Sequence, residues 1–284
     1  MSEDNQTGHG VGYEEAPPLG PGELLAPDYR AIMPLSRGQF LDIYDVWSEE
    51  RACRCIAKVL RPEYIEDRGA QDSLLREGRT LKRLTHLHIV RAYDVIENPY
   101  PVVILETLTG QTLDYLINTH RGRRLSLSNI VFLGVHLCSA MHYLHRQGLL
   151  HLDLKPSNIV SNLGVAKVLD LSIAQPPGHG NRGVGTPQYM APEQCNGAVL
   201  TEATDAWGIG AVLFHAATGK PPFEVEAGEK HQQLERRADP VRSQRRVPAA
   251  FAAAVDRCLD PEPAKRPTVD ELAELLFGLG QERT

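Results

Sequence analysis

An Asp, a Lys and an Asn stand at Asp153, Lys155 and Asn158 within the run His151 to Asn158, and Asp170 follows twelve residues after that Asn. Side chains of these types at this spacing suit phosphoryl transfer from a nucleotide. A nucleophilic hydroxyl needs a carboxylate to orient it and take its proton. The transferring phosphate needs a cation nearby, and Mg²⁺ needs hard oxygens, which an amide and a carboxylate supply. On that chemistry Asp153 is the base, Lys155 steadies the phosphate, and Asn158 with Asp170 holds metal. A plain polar turn after a helix can spell the same pattern, so the reading depends on its surroundings.

The surroundings agree with it. Gly185-Thr186-Pro187-Gln188-Tyr189-Met190 leads into Ala191-Pro192-Glu193, Asp205 opens an apolar stretch that runs to Phe214, and Arg266 stands in Pro263-Ala264-Lys265-Arg266-Pro267. Upstream, Lys58 follows Cys55-Ile56-Ala57, and Glu77 lies nineteen residues further on in a helical pattern. In this order, from Tyr29 to Leu279, the segments resemble the protein kinases, and in style the bacterial eukaryotic-like Ser/Thr members.

That resemblance implies an α+β, two-lobed fold. A small antiparallel β-sheet lobe with one helix would span 28–107, and a larger, mainly α-helical lobe 108–279, with 280–284 a tail; residues 1–27, rich in Gly, Pro, Glu and Asn with few large apolar groups, read by composition as a disordered arm. It implies ATP with Mg²⁺ or Mn²⁺ as cofactors and a protein as substrate. Lys58, held by Glu77, would anchor the α- and β-phosphates, and a bidentate Arg266–Glu193 pair would pin the substrate segment. Leu105 would guard the back of the adenine pocket, with the Glu106 carbonyl and the Leu108 amide on the adenine edge. Ser36, Gly38, Ile43, Ile56 and Val160 complete the implied nucleotide site. Thr186 would bond toward Asp153 and help set the acceptor hydroxyl; with Lys155 it favours Ser or Thr over Tyr as acceptor.

The chain also departs from the family pattern. The phosphate-covering loop, Leu35 to Ile43, keeps only Gly38 of three glycines, with Ser36 and Leu41 at the other two positions. Glycines there let backbone amides approach phosphates closely. Asp42 would bring a negative charge near ATP unless it faced solvent. Ile56 stands where a small Ala usually roofs the adenine, Leu152 replaces the Arg before the catalytic Asp, and Ser172 replaces a Gly. Ser172 is tolerable at negative φ and strained at positive φ. The missing Arg normally reads a phosphorylated activation loop. Between Asp170 and Glu193 only Ser172 and Thr186 carry hydroxyls of that kind, neither mid-loop. The two absences agree, and they predict a kinase that needs no activation-loop phosphorylation. The glycine-poor loop and Ile56 argue for weak ATP binding, which leaves open a pseudokinase that binds a partner through the same surface. A small-molecule kinase is disfavoured by the Ala191-Pro192-Glu193 platform.

Composition is consistent with one two-lobed domain: 284 residues, 42% hydrophobic, formal net charge −6. No nucleic-acid footprint is expected from that charge. The basic clusters at Arg121 to Arg124 and Lys230 to Arg246 read as solvated loops. No apolar run reaches the length of a membrane span, so no membrane insertion is expected, and the N-terminus lacks signal-peptide blocks. Five cysteines without metal spacing read as free thiols, hence a cytoplasmic location.

The elements that must position these residues follow from patterning. Strands are expected at Tyr29–Leu35, Phe40–Glu49, Arg51–Leu60, Val90–Glu97 and Val102–Thr107, giving a five-stranded sheet. Asp72 to Leu84 reads as the lone helix of that lobe, capped by Asp72. Further helices are expected at Thr112–Asn118, Ser128–Arg146, Thr204–Thr218, Pro248–Leu259 and Thr268–Phe277, while Glu224 to Val247 is charged and aperiodic. His136, His142 and His145 on the long helix read as packing or surface residues.

Overall fold

The computed structural model describes residues 17–120, 124–224 and 231–281. Most of the expected arm, 1–16, the end of the tail, 282–284, and the segments 121–123 and 225–230 lie outside them, and with these most of the first basic cluster and Lys230 of the second. By internal contacts the chain divides into two compact units, residues 1–75 with 94–105 and residues 76–93 with 106–284.

The first unit is built on a sheet of β1 (Leu24–Ala26), β2 (Tyr29–Arg37), β3 (Leu41–Ser48), β4 (Cys53–Leu60), β5 (Ala92–Ile96) and β6 (Val102–Glu106), in the order β1-β2-β3-β4-β6-β5. The sheet has six strands where five were expected. The addition is β1, which lies in the stretch expected to be a disordered arm: Ala26 pairs with Tyr29 across a tight turn at Pro27 and Asp28. Three residues are too few to show an alternation, so composition alone spoke there. Helix α1 (Arg68–Arg83) begins four residues before its expected cap. The Asp67 carboxylate, not Asp72, accepts from the Ala70 amide at 3.0 Å and satisfies the first turn.

The second unit runs through β7 (Gln111–Thr112), α2 (Leu113–Thr119), α3 (Leu127–Arg146), β8 (Ile159–Asn162), β9 (Val165–Val168) and β10 (Gly178–His179). It continues with α4 (Pro192–Asn196), β11 (Val199–Leu200), α5 (Glu202–Thr218), α6 (Val241–Gln244), α7 (Ala249–Cys258) and α8 (Val269–Gln281). Side-chain oxygens of Thr112 and Ser126 cap α2 and α3. Helix α5 is the core, buried from Thr204 to Thr218. Two glycines let helices touch: a Cβ on Gly210 would meet Cys258 Cβ at 2.4 Å, and one on Gly134 would meet a Leu276 methyl at 2.5 Å. Helix α3 is long and apolar enough to cross a membrane by length and composition, but half of it is buried against α5, α8 and β9, as a core helix. The charged stretch before Val247 holds only one helical turn at Gln232–Leu234 and the short α6 among its described residues.

Candidate active site

In the first unit, strand register gathers the implied nucleotide-contacting side chains. Ser36 lies opposite Ile43, and Ile43 opposite Lys58, so the three form one row across β2, β3 and β4. Side chains alternate between faces along a strand, which places Ile56 on the face of Lys58. Asp42 falls on the other face, beside a cavity of 190 Å³ that Leu19, Tyr44 and Tyr100 also line. Neither expected setting for Asp42, near phosphate or facing solvent, holds. It is only 3% exposed, and Arg37 grips it with two parallel bonds of 2.8 Å, Nε to Oδ1 and Nη2 to Oδ2. The two are register partners at the end of the hairpin and neutralise each other.

The hairpin that replaces the glycine loop is tied down. The Gly38 amide donates to the Leu41 carbonyl at 2.8 Å, and the Arg61 amide to the Phe40 carbonyl at 2.9 Å. Arg61 also sends Nη1 to the Gly38 carbonyl at 3.3 Å. The Phe40 ring meets Tyr64 edge-on, with centroids 4.8 Å apart.

In the second unit the carboxylate of Asp153 is the centre of a dense cluster. Its Oδ1 accepts from the Thr186 amide at 3.0 Å and the Thr186 hydroxyl at 2.7 Å. Its Oδ2 accepts from Asn158 Nδ2 at 3.2 Å and faces Lys155 Nζ at 2.8 Å. Lys155 Nζ also donates to Thr186 Oγ1 at 2.7 Å. The sequence thus brings Asp153, Lys155, Asn158 and Thr186 together, although Thr186 is 33 residues away in the chain.

The loop that presents this cluster is strained at one residue. Leu152 has φ +69°, the left-handed region that costs an L residue about 1 kcal/mol. Asp205, 1% exposed, holds it there by accepting from the His151 amide at 2.9 Å, the Leu152 amide at 2.8 Å and His145 Nε2 at 2.8 Å. Gln194 Nε2 donates to the Leu152 carbonyl at 2.8 Å. The Leu152 side chain packs with Leu150, Leu200 and Ile173. His151 is fully buried, which pushes its pKa down, and its Nδ1 accepts from the Asp153 amide at 3.1 Å.

Asn158, Asp170 and Glu77, expected at metal and phosphate, lie in the same unit as that cluster. The Leu169 amide donates to the Asn158 carbonyl at 2.9 Å, which sets Asn158 beside the end of β9 that carries Asp170. Asp170 Oδ1 accepts from the Ser172 amide at 2.8 Å. Ser172 is absent from the four non-glycine residues at positive φ among those described, so replacing glycine there adds no strain. The buried Glu77 accepts from the Leu171 amide at 3.5 Å. Since the Asn158 nitrogen is turned to Asp153, its amide oxygen is the hard ligand it can offer. No three His, Cys, Asp or Glu side chains form a ready-made cage among the described residues. Two oxygen ligands suit a cation that keeps phosphate and water in its shell. Val160 is buried in β8, and Leu105 is buried on β6. Next along, Glu106 accepts from Lys167 Nζ at 2.6 Å and from the Arg91 amide at 2.9 Å.

The substrate segment is anchored as its Arg and Glu foretold. Arg266 Nη1 and Nη2 reach Glu193 Oε1 and Oε2 at 2.6 and 2.9 Å, and the guanidinium lies 4.9 Å from the Trp207 ring. Gln233 Nε2 donates to the Pro187 and Met190 carbonyls at 2.9 and 3.0 Å. Gln194, Gln233 and His145 were not singled out for these roles. Gln194 directly follows the Ala-Pro-Glu signature, a usable signal, while Gln233 lies in the aperiodic stretch and gave none.

The family model for the protein kinase domain matches residues 29–277. The chain belongs to the protein kinase family. Serine/threonine-protein kinase PknK of Mycobacterium tuberculosis is 32% identical over 259 residues, 87% of this chain and 23% of that one. DNA damage-responsive serine/threonine-protein kinase RqkA of Deinococcus radiodurans is 30% identical over 256 residues, 85% of this chain and 37% of its own. PkaA of Streptomyces coelicolor, another serine/threonine-protein kinase, is 31% identical over 233 residues, 76% of this chain and 41% of that one. The chain thus spans less than half of each of these relatives. They place this kinase domain among the bacterial Ser/Thr kinases, a family that uses ATP and a divalent cation.

Proposed function

We propose that this kinase transfers the γ-phosphoryl of ATP to a Ser or Thr hydroxyl of a protein, and that it does so without phosphorylation of its activation segment. The observation that carries the first part is the Asp153 cluster. A carboxylate offers about four lone-pair sites, and here Thr186 fills two on Oδ1 while Asn158 and Lys155 occupy Oδ2. Among these partners Lys155 has the flexible four-carbon stem. Its ammonium can turn from Asp153 to the transferring phosphate, which vacates Oδ2 for the acceptor hydroxyl and its proton. Bound ATP supplies the phosphoryl group, and a divalent cation with Asn158 and Asp170 among its ligands supplies compensating charge. The family resemblance gives Lys58 the phosphate-anchoring role.

Support for the second part comes from Leu152. Where the family usually has Arg, this side chain lies among Leu150, Leu200 and Ile173, an apolar contact rather than a phosphate receptor. Of the two hydroxyl residues of the segment, Thr186 has its hydroxyl engaged with Asp153.

The test is incorporation of labelled phosphate from ATP with Mg²⁺ or Mn²⁺, beside Asp153→Ala, before and after phosphatase treatment. Label lost in the variant and unchanged by phosphatase is expected. Nucleotide-induced thermal stabilisation with no transfer to any protein would favour the pseudokinase reading, and silencing by phosphatase would remove the second part alone.

A further inference from the structure

Three histidines with no part in phosphoryl transfer lie together at one point of the second unit. His86 and His88 lie between α1 and β5, and His136 lies on α3. The His88 and His136 rings stack with centroids 4.2 Å apart and planes 19° from parallel. His86 stacks on Tyr143 at 4.9 Å and lies 5.6 Å from His88.

The protonation of each ring follows from what it touches. The Ala166 amide donates to His136 Nδ1 at 3.3 Å, so that nitrogen is a bare acceptor. The His88 amide donates to His86 Nδ1 at 3.2 Å, so that nitrogen is bare too, and His86 Nε2 faces Ser139 Oγ at 3.3 Å. His88 Nδ1 faces the Ala166 carbonyl at 2.9 Å and must carry hydrogen. Ala166 of β9 is clasped by one ring as acceptor and another as donor. A second proton on His136 or His86 has one place to go, the nitrogen already taking a backbone N–H. It would set two donors face to face.

The neighbouring groups oppose that proton. Lys167 on β9 repels charge on both His86 and His88, and His142 on α3 repels charge on His86. Lys167 is held by Glu106 at 2.6 Å, and His142 by Asp270 at 2.7 Å. Tyr143 and Ser139 bring no charge. Burial, then His88, pushes His136 down to about 4, and burial leads the downward shifts of His86 and His88, which the Ala166 bond partly offsets for His88.

We propose that this stack is a proton-released clasp: a second proton on His136 and His86 frees the segment before β5 from β9 and α3. That release loosens the end of α1 and the contact between Glu77 and the Leu171 amide. His86 and His136 are then positioning residues for Glu77, and the link to turnover rests on the role given to Glu77 by the kinase reading. The sign is fixed by the lowered pKa values. The stabilisation is complete above the unfolded value of about 6.5 and is lost as pH falls through the folded values.

The test is amide hydrogen exchange of the full chain at about pH 7.5 and about pH 5. Protection at Ala166 and His88 is expected to fall about tenfold more than in α5. The double variant His86→Asn with His136→Asn places an amide oxygen near each Nδ1 and cannot titrate. It is expected to keep its protection in acid and to lose the acid limb of phosphorylation. Ala166 protection that stays constant in the wild type, or falls equally in the variant, overturns the clasp. Should the variant not fold, imidazole titration by NMR of the wild type decides: either ring titrating at or above about pH 6.5 overturns it. A clasp that opens without change in turnover overturns only the link to Glu77.

Discussion

Asp153 in the second unit is fixed by donors from Lys155, Asn158 and Thr186, the last of them 33 residues away, while Asp42 in the first is gripped by its own hairpin partner Arg37. The cluster around Asp153 is therefore a product of the whole unit's fold. The hairpin around Asp42 is local and could be rebuilt by a few substitutions. Where two of the family's three glycines are missing, Arg37–Asp42, Arg61 and Phe40–Tyr64 hold the loop by side chains.

That contrast breaks most directly at Asp170. Replacing it with Asn is expected to lower kcat by on the order of 10²–10³-fold with the fold intact. Steady-state rates beside a thermal melt check this, and full retained activity would remove Asp170 from the site. Arg266→Ala strips a buried bidentate partner from Glu193, whose side chain is 5% exposed. The expected loss is about 3–5 kcal/mol of stability by urea unfolding, because a lone carboxylate stays buried. A loss under about 1 kcal/mol would mean that the lobe relaxes around Glu193. Thr186→Val removes a hydroxyl that bonds both Asp153 and Lys155. Turnover should drop about tenfold and return with Thr186→Ser, as one hydrogen bond of about 1–1.5 kcal/mol would require. The hairpin should answer least. Ser36→Gly with Leu41→Gly is expected to lower KM for ATP a few-fold while destabilising the protein by about 1–2 kcal/mol. An unchanged KM would show that hairpin stiffness does not limit nucleotide binding.

What could be read in the sequence was whatever the family's motifs carry. The grouping of Asp153, Lys155, Asn158 and Thr186 was legible through that resemblance, and so was the Arg266–Glu193 pair. The helices with an apolar period were legible to within a few residues, α3 most closely. The rest depended on three-dimensional meetings. Strand β1 is too short for a pattern, and the burial of Asp42 follows from register with Arg37, which no single-residue reading supplies. The contacts of His88 and His136 with Ala166 join segments whose proximity only folding creates. The left-handed Leu152 was invisible for a further reason: a bulky side chain such as leucine is an outlier on such a backbone.

Asp205 has a consequence of its own. One small carboxylate receives three donors, from His145, His151 and Leu152. Asparagine keeps the outline but turns an N–H toward a donor, glutamate overfills the site, and no other side chain accepts three bonds in that volume. Such a position has a single solution. The exposed surface has many, so two kinase domains can drift apart over most of their length while this one letter keeps the reacting loop in shape.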